Sequence, residues 1–280
     1  MQIKKGIVFT SFKYTMYALL FINTISFFSI NNATEHLTNQ GGLALGDIIV
    51  AYADAIDSAS WLMLLLLFEF ETSFDPPEKH EFWIQPLIGA ATIACWGVIL
   101  YSFYGYVGGL DMLGDFASYA GPDPCSLNDA GALFVASLDD YIPLDAAHCA
   151  AMASSGALHS AELNMFATPE SFALLKRLIW IDVINAGAWI IVAGIIEYEI
   201  FLRVTRGVSP EFLRIANIVK FPFWMILVGA AVLWWIYGTF LDAWDAFLWI
   251  AAFFFIELNM IAKHEERAKK RSAHNSPEVY

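Results

Sequence analysis

The sequence predicts an all-α, polytopic membrane protein with six transmembrane helices. It arranges them as three helical hairpins of parallel orientation, with N- and C-termini cytoplasmic. Three observations carry this expectation. The 280-residue chain is 58% hydrophobic, with a mean hydropathy of +0.56, beyond the composition of ordinary soluble domains. Its apolar runs reach the roughly 20 residues a helix needs to cross a hydrocarbon core. Threading those runs puts thirteen of the 15 basic residues on one side, and an excess of Lys and Arg marks the cytoplasmic face.

The six runs cover residues 14–30, 50–70, 84–106, 179–201, 221–241 and 243–262. They divide the chain into spans one to three (1–106), an extracytoplasmic cap (107–171), spans four to six (172–262) and a basic cytoplasmic tail (263–280). Only Lys176 and Arg177 fall on the cap side. The first run also has the basic start, apolar core and small-residue exit, at Ala33, of a signal peptide. Lys13, so far into the N-terminal segment, and the lack of a clear A-x-A site argue for a retained helix. The basic tail is the kind of segment that lies beside anionic lipid. The expected location is a plasma or inner membrane, with the lipid bilayer as first partner and a homo-oligomer or larger membrane complex as the next.

The cap contains no Lys or Arg and many acids, among them Asp111, Asp115, Asp123, Asp140, Asp145 and Glu162. Gly121-Pro122-Asp123-Pro124 marks a turn. Two alanine-rich stretches, 126–138 and 143–159, are expected as short helices. Thr168-Pro169-Glu170 combines an N-cap residue, a proline at the first helical position and an acid in the first turn. A helix is therefore expected to start there and run into the fourth span. Cys125 and Cys149 lie on the side where oxidation is favoured and are expected to pair as a disulfide. Cys95, inside the third span, is expected to be an apolar filler.

Function is written most clearly in a repeated polar pattern. Asp54, Asp57, Trp61, Glu69 and Glu71 recur in spacing as Asp182, Asn185, Trp189, Glu197 and Glu199. They recur again as Asp242, Asp245, Trp249, Glu257 and Asn259. The shared form is D-x-x-[DN]-x3-W-x7-E-x-[EN], on spans two, four and six. At about 100° per residue, each set occupies one face of roughly 120°, and first Asp to first Glu spans about 22 Å. The odd-numbered spans carry fainter echoes: Lys13-Tyr14-x-x-Tyr17 resembles Lys220-Phe221-x-x-Trp224, and Gly89-Ala90-Ala91 recurs as Gly229-Ala230-Ala231.

If the three faces meet, Asp54, Asp57, Asp182, Asn185, Asp242 and Asp245 form an outer polar layer. Trp61, Trp189 and Trp249 form a constriction or packing layer, and Glu69, Glu197 and Glu257 an inner acidic one. Acidic rings flanking an aromatic constriction can conduct or gate cations, and an acidic cap concentrates cations at the mouth. The expected function is therefore a cation channel or transporter with its path along these acids. A plainer account of the same residues has the acids as solvated helix ends. Glu199 then pairs with Arg203, Glu257 with Lys263 or a neighbouring inner base, and Asp182 with Arg177, while the tryptophans only pack. That account leads to the alternative of a structural or accessory subunit of a larger membrane complex, with no transport of its own. The spans lack the Gly/Pro-broken helices of many secondary transporters, which favours a channel or a subunit over an alternating-access carrier.

Other chemistry has little support. His159 and Glu162 are weak metal-ligand candidates, and His148 lies eleven residues before His159, three turns away on one helical face. No phosphate-binding loop, nucleophile elbow, metalloprotease helix or dinucleotide fingerprint occurs. No cofactor is indicated by motif, an enzyme is the least supported class, and the acidic surface argues against nucleic acid.

Overall fold

The computed structural model describes residues 2–38, 52–73, 84–126, 131–138, 140–205 and 208–274. Among them the chain forms α1 (Gln2–Thr38), α2 (Ala53–Ser73) and α3 (Ile84–Met112), then a 3-10 turn at Leu113–Asp115. The cap follows with β1 (Phe116–Ser118), β2 (Leu133–Val135), β3 (Tyr141–Pro143), α4 (Ala146–Ser155), β4 (Leu158–Ser160) and β5 (Met165–Ala167). Three long helices complete the chain: α5 (Pro169–Thr205), α6 (Pro210–Tyr237) and α7 (Phe240–His274).

The expected all-α, six-span, three-hairpin architecture is corrected in two respects. Among the described residues, three helices are long and apolar enough to cross a membrane: Pro86–Asp115, Pro169–Leu202 and Pro210–Tyr237. Helices α1, α2 and α7 interrupt their apolar runs with Lys13, Asn23, Asp57, Glu69, Asp245 and Glu257, all buried or half-buried. The second correction is the cap, which is a mixed α/β unit. The 126–138 stretch, expected as a helix, contributes strand β2 instead. Its Phe134 and Val135 favour a pleated, half-buried surface. Pairing Leu133 with Pro143 on one side and with Met165 on the other places Phe134 and Phe166 in the cap core. These long-range pairings outweigh the helical preference of the flanking alanines. The sheet runs β1-β4-β5-β2-β3, antiparallel except for the parallel β2–β5 pair.

Among the described residues, α4 is the one α-helix of the cap. Asp145 caps it by accepting a hydrogen bond from the His148 N–H at 2.8 Å. Gly156 ends it at φ +93°, a conformation favouring glycine, with its N–H on the Met152 carbonyl at 2.9 Å. This stop puts His148 on a helix and His159 on a strand, so they do not share one helical face. The Cys125–Cys149 disulfide, with Cα atoms 5.8 Å apart, ties α4 to the 121–126 turn. Val135 and Ala167 pack on Leu175 and Ile179, joining the cap to the first turns of α5.

Helix α5 begins as the sequence specifies: Thr168 Oγ1 accepts from the Ser171 N–H at 3.1 Å and Pro169 is its first residue. Successive long helices contact one another, and α1 closes the circuit against α7. Helix α2 also contacts α5 and α7. The main core lies among them, with Leu64, Leu65, Val192, Ile196, Leu248 and Phe253 at its centre. The α6–α7 turn depends on Gly238, because a Cβ there would run into the Trp234 ring and come within 2.9 Å of its carbonyl.

In the cap sheet, the His159 imidazole stacks on Phe166 with ring centroids 4.3 Å apart and meets Tyr119 at 5.4 Å. Burial there pushes its pKa below the ordinary imidazole value. The folded state therefore binds this proton less readily than the unfolded chain. Stability from the neutral ring is present above the ordinary value and is lost as pH falls through the depressed one. Thermal unfolding of the cap at about pH 7.5 and about pH 5.5, on either side of the ordinary value, should show the wild type losing more on acidification than His159→Phe. Equal losses would contradict this assignment.

Candidate functional site

Three layers of side chains cross the bundle, and helix periodicity sets their order. Asp57, Asn185 and Asp245 each precede a tryptophan (Trp61, Trp189 and Trp249) by four residues, about 6 Å of helix. Trp61 and Trp249 in turn precede Glu69 and Glu257 by eight residues, about 12 Å. The layer nearest the cap is polar, the middle one aromatic, and the far one ionic.

The cap-end layer surrounds a cavity of about 150 Å³, with Leu138 of the cap in its wall. Asp57, Asp182, Asn185, Asp242 and Asp245 line it, so α2, α5 and α7 each contribute an acid. Asp54 lies outside the residues whose side chains are described. The carboxylates are positioned by neighbouring helices. Tyr106 on α3 donates to Asp57 at 3.1 Å, and Asn23 on α1 donates to Asp245 at 2.9 Å. Thr24 and Ser58 meet at 3.0 Å between α1 and α2. Asp242 has a local task as well, accepting from both the N–H and the hydroxyl of Thr239 at 2.8 Å. The Asp242 N–H returns a bond to Thr239 Oγ1 at 3.3 Å, completing a capping box on α7.

The middle layer is built around Phe253. Its ring lies 4.9 Å from Trp189 and 6.2 Å from both Trp61 and Trp249. Trp61 and Trp189 are 6.2 Å apart, and Trp96 and Trp224 extend the cluster outward. These are edge-on and tilted contacts, the geometries that aromatic quadrupoles favour. The three tryptophans line the cavity and at the same time pack into the main core, which separates the cavity from what lies beyond.

The far layer contains two buried lysines. Lys13 on α1 pairs with Glu69 on α2, and Tyr17 donates to the same carboxylate at 3.1 Å. Lys220 on α6 lies 2.8 Å from Glu199 of α5 and 2.6 Å from Glu257 of α7. Lys220 and Glu199 are almost fully buried, at 2% and 1% exposure. The inner acidic layer expected from Glu69, Glu197 and Glu257 is thus an arrangement of ion pairs. Glu69 and Glu257 answer to lysines on neighbouring helices, and on α5 it is Glu199, two positions past half-buried Glu197, that reaches Lys220. Both lysines read from sequence as markers of a charged face. Their burial follows from carboxylates standing opposite them, because a buried ammonium requires a partner.

Sequence reasoning passed over Lys13, Lys220, Tyr106, Asn23 and Thr239 as site residues. Signals existed for three of them: the matching K-Y-x-x-Y and K-F-x-x-W segments for the lysines, and the T-x-x-D that precedes the last apolar run for Thr239. Arg203, Lys263, Glu71 and Asn259 lie outside the residues whose side chains are described. His159 is stacked in the cap sheet and Glu162 is exposed. Among the described residues, no three His, Cys, Asp or Glu side chains are grouped to hold a metal ion. No family model, curated protein or solved structure matches the chain.

Breaking a buried pair leaves a charge in low dielectric and costs about 3–5 kcal/mol. Lys220→Met should lose that much in denaturant unfolding of the detergent-solubilised protein. Adding Glu257→Gln should recover part of the loss. A Lys220→Met variant as stable as wild type would contradict the pairing.

Proposed function

We propose that the chain is an integral membrane protein that handles cations, as a channel or transporter, with the cap-end cavity as its cation site. The observation that carries this reading is the convergence of carboxylates from α2, α5 and α7 on one cavity beneath an acidic cap. In this reading all six long helices cross the bilayer and both termini are cytoplasmic. The cap lies outside, where its acids draw cations toward the mouth. The polar residues of α1, α2 and α7 are tolerated because they face the bundle interior and are paired there. The Trp61, Trp189, Trp249 and Phe253 layer is the constriction, and the conformation described is the closed one. Beyond it, the Lys–Glu pairs hold α1 to α2 and α6 to α5 and α7, so opening a continuous path requires them to shift.

A specific observation favours the runner-up, a subunit of a larger membrane assembly. A Cβ added at Gly89, Gly97 or Gly105 on α3 would meet nothing within 4 Å. Small residues on an open helix face permit close helix packing in a membrane.

Cation flux into liposomes containing the purified protein separates the two. The proposal expects flux in the wild type that falls about tenfold or more in Asp57→Asn/Asp182→Asn, the loss that a barrier rise of about 1.4 kcal/mol produces. A folded wild type that passes no cation, neither protons nor inorganic ions nor small organic ammonium ions, would overturn it and promote the subunit reading.

A further inference from the structure

We infer that the cap-end cavity is built for a small organic ammonium, of the size of tetramethylammonium or choline, in preference to a bare metal or alkali cation. This rests on the cation reading above and narrows it to a ligand class.

The first argument is the composition of the wall. Trp61, Trp189, Trp234 and Trp249 line the cavity, together with Tyr106. Four indoles and a phenol sharing one small space with carboxylates is the chemistry of an aromatic cage. Indole is the strongest cation–π partner among side chains, and quaternary ammonium groups are its usual ligands. An alkyl ammonium also gains from desolvating its methyl groups against aromatic carbon, which a hydrated inorganic ion does not.

The second argument concerns the oxygens. Calcium and magnesium need about six to eight oxygen ligands at roughly 2.0–2.6 Å, and a dehydrated alkali ion likewise needs a shell of converging oxygens. Here the carboxylates are spread over three helices. Tyr106 holds Asp57, Asn23 holds Asp245, and Thr239 holds Asp242. No metal-holding group of His, Cys, Asp and Glu forms among the described residues. Carboxylates held this way act as counter-charges at a distance, which suits a cation whose charge is spread over a bulky head.

The third argument is size. A cavity of about 150 Å³ accommodates a benzene-sized molecule. Choline and tetramethylammonium are of that order, and a much larger organic cation would have to displace the tryptophan layer or the cap.

The test is equilibrium binding to the purified full chain in detergent, read by tryptophan fluorescence and by calorimetry. The probes are tetramethylammonium, choline, the neutral choline isostere 3,3-dimethylbutanol, and sodium, potassium and calcium ions. The inference expects saturable binding of the two organic cations, weak or no binding of the isostere, and no competition from the inorganic ions beyond ionic-strength screening. Asp57→Asn, which keeps an acceptor for Tyr106, should weaken choline at least about tenfold, or about 1.4 kcal/mol. Binding of inorganic ions alone would overturn the inference and leave the cation reading standing. Equal binding of choline and its isostere would also overturn it, showing an apolar pocket indifferent to charge. Binding of neither class would sink both. The comparison of choline with its isostere is made on the wild type, so it holds even if a variant fails to fold.

Discussion

Lys13 and Lys220 are each buried against glutamates from other helices, and much of the bundle follows from those pairs. An ammonium removed from water costs several kcal/mol unless a carboxylate and hydrogen bonds compensate it. Lys13 with Glu69 therefore sets the register of α1 against α2. Lys220, reaching both Glu199 and Glu257, sets α6 against α5 and α7 at once. Once those levels are fixed, the helical rise decides where everything else lies. Trp61 and Trp249 stand about 12 Å toward the cap, and Asp57 and Asp245 about 6 Å further. The cavity beneath the cap is a geometric consequence of pairing at the opposite end.

Between the two polar layers lies an aromatic seal. Phe253 fills the space that three tryptophans leave, and apolar packing continues around it through Val192, Ile196 and Ala252. The separation has an electrostatic consequence. The two buried lysines lie beyond the tryptophans, bound to their own glutamates. The acids of the cavity are oriented by Tyr106, Asn23 and Thr239, all neutral donors.

The acids and tryptophans that α2, α5 and α7 give the lining were legible because they recur at helical spacing, whereas Tyr106 and Trp234, which also line it, belong to no such pattern. The roles within it were less so. Asp242 reads as one more acid of the outer layer, yet it also closes the capping box of α7, a role carried by Thr239 three residues earlier. The glutamates read as an acidic layer because their partners sit on other helices, 56 residues away for Lys13–Glu69 and 37 for Lys220–Glu257. A lysine in an apolar run looks like an interface marker until the opposing carboxylate is in place. The cap sheet was hidden for a related reason. Its strands are three residues long, too short to show alternation, and the β2–β5 pair joins segments some 30 residues apart in a stretch whose alanines favour helix.

The central claim is that a water-accessible polar cavity at the cap end is sealed from the rest of the bundle by the tryptophan layer. Helix α5 tests this directly, because Ala186 lines the cavity and Ala193, about 10 Å further along, is fully buried beyond the seal. Single cysteines at these positions, in a Cys95→Ala background with the cap disulfide intact, would be treated with a charged, water-soluble thiol reagent. The account predicts rapid modification at position 186 and protection at position 193 until the protein is unfolded. Equal modification at both positions, or protection at both, would contradict it.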